Sequence, residues 1–86
     1  MYVHIGADFV LHKNDILGIF DLDSLYLSES MKNHLKAMEK DNRLINISGD
    51  IPKSVVFAFS GGEEIAYLSS LSSKTIQNRK DFYSKG

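Results

Sequence analysis

The chain has 86 residues, no cysteine, one proline and a formal net charge of −1. We expect residues 1–86 to form a single domain with a modest core, for which self-association is a common means of adding buried surface. The lack of cysteine excludes a disulfide framework, a thiolate metal site and a thiol nucleophile. A net charge this close to zero argues neither for nor against a nucleic-acid partner.

No apolar run approaches the roughly 20 residues that a membrane-spanning helix needs. The N-terminal sequence MYVHIGADFV also lacks the basic region and the long apolar core of a signal peptide. We therefore predict a cytoplasmic protein without a membrane partner.

Charge is unevenly distributed along the chain. Residues 1–73 contain six Lys/Arg and ten Asp/Glu, whereas residues 74–86 contain four Lys/Arg and one Asp. The basic C-terminal part predicts contact with an anionic partner or with the acidic body of a neighbouring subunit.

Three short strands are predicted in the first part of the chain. Residues 2–5 and 9–12 flank a turn that contains glycine, and residues 16–20 follow a polar break. Since residues 16–20, ILGIF, are almost all apolar, we expect this strand to lie inside the sheet.

A helix is predicted next, with Ser28 or Ser30 as its N-cap. Its apolar stripe recurs at helical spacing, at Met31, Leu35 and Met38. We expect the helix to end near Asp41-Asn42, because asparagine tolerates the left-handed conformation of a C-terminal cap.

The strongest β signal lies between Pro52 and Ser69. The apolar run Val55–Phe59 precedes Gly61-Gly62 and a second β-rich run, which is typical of a hairpin whose first arm is covered on both faces. A fourth strand is predicted at residues 44–47. Ser72 or Ser73 is expected to cap a last helix that packs through Ile76 and through Phe82 or Tyr83.

These elements predict an α+β fold. We expect a small, curled, mainly antiparallel sheet of five or six strands, with one helix in the middle of the chain and one at its C-terminus. The apolar runs at residues 16–20 and 55–59 should form its core.

Five fragments in register resemble the bacterial extracellular matrix regulatory (RemA/RemB) family, and their order and spacing resemble its RemB branch. They are MYVHIG at 1–6, DFV at 8–10, DILGIFD at 15–21, PKSVVF at 52–57 and LSSKTIQNR at 71–79. The resemblance covers most of the chain, and residues 24–43 are its least characteristic part.

This resemblance implies a regulator of biofilm-matrix genes that assembles into a ring-shaped homo-oligomer with DNA on a basic surface. In the DNA-binding members, arginines in two loops are held to contact the DNA. The corresponding positions here are Asp15, Asp50 and Ile51, and the positive charge that remains near these loops belongs to Lys13 and Lys53. Carboxylates cannot neutralise phosphate, which supplies most of the non-specific affinity for DNA.

The candidate nucleic-acid-binding residues are therefore Lys13, Lys53, Lys74 and Arg79. Arg79 can equally form a bidentate ion pair with a carboxylate of a neighbouring subunit. A further set, Lys32, Lys36 and Lys40, recurs one turn apart, and we interpret it as a solvated helix face.

Other polar groups are better explained by structure than by chemistry. A two-residue turn at Ala7-Asp8 would pair His4 with Leu11 and His12 with Val3, which places the two imidazoles on opposite faces and disfavours a metal site. Asp21 and Asp23 are expected to cap the end of a strand.

No catalytic set is found. The Gly61-Gly62 pair lacks the spacing of a phosphate-binding loop, and no serine has the context of a nucleophile elbow. We therefore expect neither an enzyme nor a cofactor. Two functions stay open at this point: a DNA-contacting regulator, and an assembly protein that acts through a protein partner such as a RemA-like paralogue.

Overall fold

The structure is a computed structural model that describes residues 2–22 and 28–78. Its strands are β1 (Tyr2–Gly6), β2 (Phe9–His12), β3 (Ile16–Asp21), β4 (Leu44–Asn46), β5 (Ser54–Ser60) and β6 (Glu63–Ser69). Its helices are α1 (Glu29–Lys40) and α2, described over residues 73–78. A short 3-10 helix, Lys13–Asp15, connects β2 to β3. The α+β class and the positions of the two helices are confirmed.

The strands are divided between two sheets rather than joined in one. β1 and β2 form an antiparallel pair, and the other four strands form a sheet in the order β3-β5-β6-β4. The pairs β3–β5 and β5–β6 are antiparallel, and β4 runs parallel to β6. The sheets are therefore mainly antiparallel, as predicted.

The hairpin β5–β6 is the centre of the larger sheet. Gly61 and Gly62 connect the strands with φ angles of 60° and 85°, which suit a tight turn that L-residues with side chains rarely adopt. Residues 54–58 of β5 are all buried. The prediction of a central strand covered on both faces is confirmed.

An apolar cluster covers each face of the four-stranded sheet, because alternate residues of β5 point in opposite directions. On one face, the β1–β2 hairpin and α2 pack on the sheet, and the buried members are Val3, Ile5, Val56, Ala58, Tyr67 and Ile76. On the other face, α1 packs on the sheet, and the buried members are Met38, Val55, Phe57 and Ala66. Complete burial of one such aliphatic side chain contributes about 1.5–3 kcal/mol.

The ends of α1 agree with the expected capping residues. The hydroxyl oxygen of Ser28 accepts a hydrogen bond from the Met31 backbone N–H at 3.1 Å. Asn42 follows the helix with a φ of 60°, and the Arg43 N–H donates to the Met38 carbonyl at 2.8 Å. Both ends therefore satisfy backbone groups that would otherwise lack partners.

The predicted interior position of the third strand was wrong. β3 is an edge strand of the larger sheet, and Leu17 and Phe20 are 59% and 45% exposed. The pairing shifts between Ile16 and Gly18, so Leu17 is an extra residue that does not pair with β5. Apolar composition alone cannot distinguish a buried strand from an edge strand whose outer side has no cover among the described residues.

The register of the first hairpin also differs from the prediction. His4 pairs with Val10 and His12 pairs with Tyr2, because the pairing shifts between His4 and Gly6. A shift of one residue exchanges the faces of a strand. Both histidines therefore lie on the same face, where His4 Nε2 lies within hydrogen-bond distance of the Ala7 carbonyl.

Candidate nucleic-acid interface

Lys53 lies at the end of the larger sheet where β5 begins. Its backbone is held on both sides, since its N–H donates to the Ser69 carbonyl at 2.7 Å and its carbonyl accepts from the Leu22 N–H at 2.9 Å. The side chain itself is exposed. A backbone anchored in this way presents the ammonium group to solvent at a defined place.

Lys74 lies at the same end of the sheet, in the first turn of α2. The Ser73 N–H donates to Asp21 Oδ1 at 3.1 Å, and Asp21 pairs with Ser54, the residue after Lys53. The Ser54 hydroxyl donates to the Leu71 carbonyl at 2.7 Å. These contacts tie the start of α2 to the start of β5, so Lys53 and Lys74 belong to one region.

Lys13 lies near the other end of β3. It belongs to the 3-10 helix that precedes Ile16, and Ile16 pairs with Ala58, whereas Asp21 pairs with Ser54. Their partners Ala58 and Ser54 are four steps apart on β5, which span about 13 Å at about 3.3 Å per residue. The structure therefore separates Lys13 from Lys53 and Lys74. Arg79 lies outside the described residues.

Acidic residues accompany the lysines at both ends. Asp15 belongs to the same 3-10 helix as Lys13. Asp50 lies three residues before Lys53 in a loop where Ser48 Oγ donates to the Asp50 carbonyl at 2.6 Å. Each region thus carries nearly balanced charge, which weakens its attraction for phosphate.

Ile51, beside Asp50, is 80% exposed. It lies where the family resemblance implies a DNA-contacting residue, and it supplies no charge. An uncharged aliphatic side chain cannot neutralise a phosphate.

The Lys32, Lys36 and Lys40 side chains are exposed on α1. Lys32 Nζ lies 3.6 Å from Glu29 Oε1. Exposed pairs at this spacing contribute little, and the arrangement agrees with the interpretation of a solvated helix face.

Sequence reasoning missed an open groove between β3 and α1. Its volume is about 230 Å³, and its lining consists of Leu17, Gly18, Phe20, Met31, His34, Phe57 and Glu64. His34 Nε2 lies 3.2 Å from Glu64 Oε1. No local pattern could have revealed this pair, because the two residues are 30 positions apart.

Comparison with known proteins identifies the family. The RemA-like family model, described as extracellular matrix regulatory protein A-like, matches residues 2–79. The chain belongs to the RemA-like family. It is also 34% identical over 82 residues to extracellular matrix regulatory protein B of Bacillus subtilis (strain 168), an alignment that covers 95% of this chain and 93% of the relative.

The fragments that resemble the family lie in the parts of the fold discussed above. DILGIFD begins at Asp15 and continues through β3, and PKSVVF leads into β5. The described residues of LSSKTIQNR form the cap and first turns of α2, where Ser72 Oγ accepts from the Thr75 N–H at 3.1 Å. These RemA-like fragments therefore include Lys53, Lys74 and the edge strand.

Other chemistry receives no support from the described part of the RemA-like chain. Within residues 2–22 and 28–78, no three His, Cys, Asp or Glu side chains are grouped so that they could hold a metal ion. The same residues contain no helix long and apolar enough to cross a membrane. Asp21 accepts from the Ser73 N–H at the start of α2, 52 residues away; its predicted role at the end of its own strand stays a prediction, and Asp23 lies outside the described residues.

Proposed function

We propose that this protein regulates the expression of extracellular-matrix genes and acts as a homo-oligomer. The observation that supports this most directly is the alignment of nearly its whole length with extracellular matrix regulatory protein B. The proposed activity is binding rather than catalysis, and its proposed location is the cytoplasm.

Self-association is supported by the size of the core and by the free edge of the sheet. A chain of 86 residues buries a modest share of its surface. β3 exposes Leu17 and Phe20 on an edge strand, and neither lysine nor proline protects it. If this edge meets a different surface of the next subunit, the contact is head-to-tail, and a ring is its closed form.

For DNA contact, the best-supported surface is the end of the sheet that presents Lys53 and Lys74. Their backbone segments are linked through Ser54 and Asp21, which supports the proposal that one stretch of phosphates contacts both lysines. In an oligomer this pair is repeated in every subunit, which multiplies a weak attraction.

The test is binding to duplex DNA of mixed sequence, measured by fluorescence anisotropy at several salt concentrations between 20 and 200 mM (about the range in which phosphate contacts are lost). A steep fall in affinity with salt is expected for phosphate contact. Absence of binding at the lowest salt would rule out direct DNA contact.

The second candidate is regulation through a protein partner without DNA contact, for instance a RemA-like paralogue. The observation that favours it is the charge at the two loops, where Asp15 and Asp50 accompany the lysines and Ile51 is 80% exposed. Chemical cross-linking to a co-expressed RemA-like paralogue, compared with the same experiment on Ile51→Ser, distinguishes the two candidates.

A further inference from the structure

The groove between β3 and α1 is apolar at its base and has one polar wall. The rings of Phe20 and Phe57 meet edge to face, with centroids 5.8 Å apart, and Met31 closes the side toward α1. The polar wall is the His34–Glu64 pair. Such a groove accepts a large apolar or aromatic side chain, as recognition grooves for peptides do.

The outer rim of the groove is the free edge of the sheet. Leu17 is 59% exposed and does not take part in the β3–β5 pairing. Among residues 2–22 and 28–78, no strand pairs with the outer side of β3. Backbone donors and acceptors are therefore available beside the apolar base, as in sites that bind an extended segment.

The charge around the groove favours a basic guest. Glu64 lines the groove. The Lys32, Lys36 and Lys40 stripe lies on another side of α1, about 100–180° around the helix axis from Met31 at about 100° per residue. Arg43 is engaged by the Glu64 carbonyl at 3.1 Å and by Asp41 at 3.2 Å.

We propose that this groove receives residues 79–86 of a second copy of the chain. These residues lie outside the described part, and their sequence, RKDFYSKG, contains adjacent aromatics, Phe82 and Tyr83, with three cations and one carboxylate. The aromatic pair matches the apolar base, and the cations match the carboxylate of Glu64. This inference rests on the homo-oligomer of the proposed function and names its interface.

The position of α2 indicates that residues 79–86 reach the groove of a neighbouring subunit and not the groove of their own subunit. Ile76 is buried among residues of β1, β5 and β6 on one face of the larger sheet. The groove opens on the opposite face, where Phe57 belongs to the cluster covered by α1. A contact between opposite faces is head-to-tail, and repetition of such a contact produces a ring or a filament.

Two full-length variants test the proposal by sedimentation equilibrium. Leu17→Lys places a positive charge at the groove of an otherwise intact chain, and the exposure of Leu17 leaves the core unaffected. Phe82→Ala/Tyr83→Ala removes the aromatic guest and keeps the groove. Val10→Lys is the matched control, because Val10 is also an exposed strand residue, at 50%, but lies in the other sheet.

We expect the wild type and Val10→Lys to have a mass several times the 9.7 kDa of one chain, and each of the other variants to sediment as a monomer. An equimolar mixture of the two monomeric variants should give a dimer, because one intact groove then meets one intact C-terminal segment. Circular dichroism establishes that each variant is folded.

An oligomeric wild type whose mass is unchanged by both variants would overturn the interface and leave the proposed oligomer standing. A monomeric wild type would overturn both. A mixture that stays monomeric would also contradict the proposal, since complementary halves would then fail to associate.

Discussion

The hydroxyl of Ser69 donates to the carbonyl oxygen of Ile5, 64 residues earlier in the chain, at 2.5 Å. The hydroxyl oxygen of Ser69 also accepts from the Leu71 N–H at 3.0 Å. Gly6 lies close enough that a β-carbon there would approach Ser69 Oγ to 3.1 Å. One buried serine therefore joins the first hairpin, the end of β6 and the approach to α2.

Ser69→Ala should destabilise the fold. The substitution leaves the Ile5 carbonyl and the Leu71 N–H without this partner in a buried place, which costs about 1–3 kcal/mol. Urea unfolding followed by circular dichroism measures the loss. Ser60→Ala, at the exposed end of β5, is the matched control and should change stability little. Equal stability of the two variants would contradict this role for Ser69.

Phe57→Ala should cost more than the same change two residues later. Phe57 is 4% exposed, whereas Phe59 on the same strand is 49% exposed. Truncation of a buried phenylalanine removes about 3–5 kcal/mol through lost burial and the cavity left behind. The comparison by thermal or urea unfolding keeps residue type and strand constant. A similar loss for Phe59→Ala would show that this end of β5 is covered in solution, as it would be by a neighbouring subunit.

Asn42 should tolerate glycine better than alanine. Its φ of 60° is unfavourable for an alanine side chain by about 1–2 kcal/mol and costs glycine little. We therefore expect Asn42→Ala to lower the free energy of unfolding by about 1 kcal/mol relative to Asn42→Gly. If alanine were the more stable of the two, the left-handed cap at the end of α1 would be disproved.

The two groups of lysines should respond differently in DNA binding. Lys53→Ala and Lys74→Ala should each make the negative slope of log affinity against log salt shallower by about 1, because each removes one phosphate contact. Lys13→Ala, near the other end of β3, should leave the slope unchanged. An equal effect of all three would show that DNA follows the whole length of β3 rather than one end.

Local sequence chemistry was sufficient for the elements with strong signals. Ser28 and Asn42 mark the ends of α1 because capping depends on a few neighbouring residues. Gly61 and Gly62 specify the β5–β6 turn because its φ angles exclude most side chains. The two-sided apolar run of β5 identifies the central strand, since both of its faces must be covered.

The tertiary structure decided which strand lies at the edge and which charges share a surface. β3 and β5 are both apolar runs, and only the pairing order makes one an edge and the other central. Because the pairing shifts between His4 and Gly6, the two histidines lie on the same face of the hairpin and not on the opposite faces that we expected. Lys53 and Lys74 lie at the same end of the sheet because Ser54 and Asp21 connect distant segments, and His34 and Glu64 meet across the groove. Pairings between residues far apart in the chain depend on the whole packing and leave no local signal.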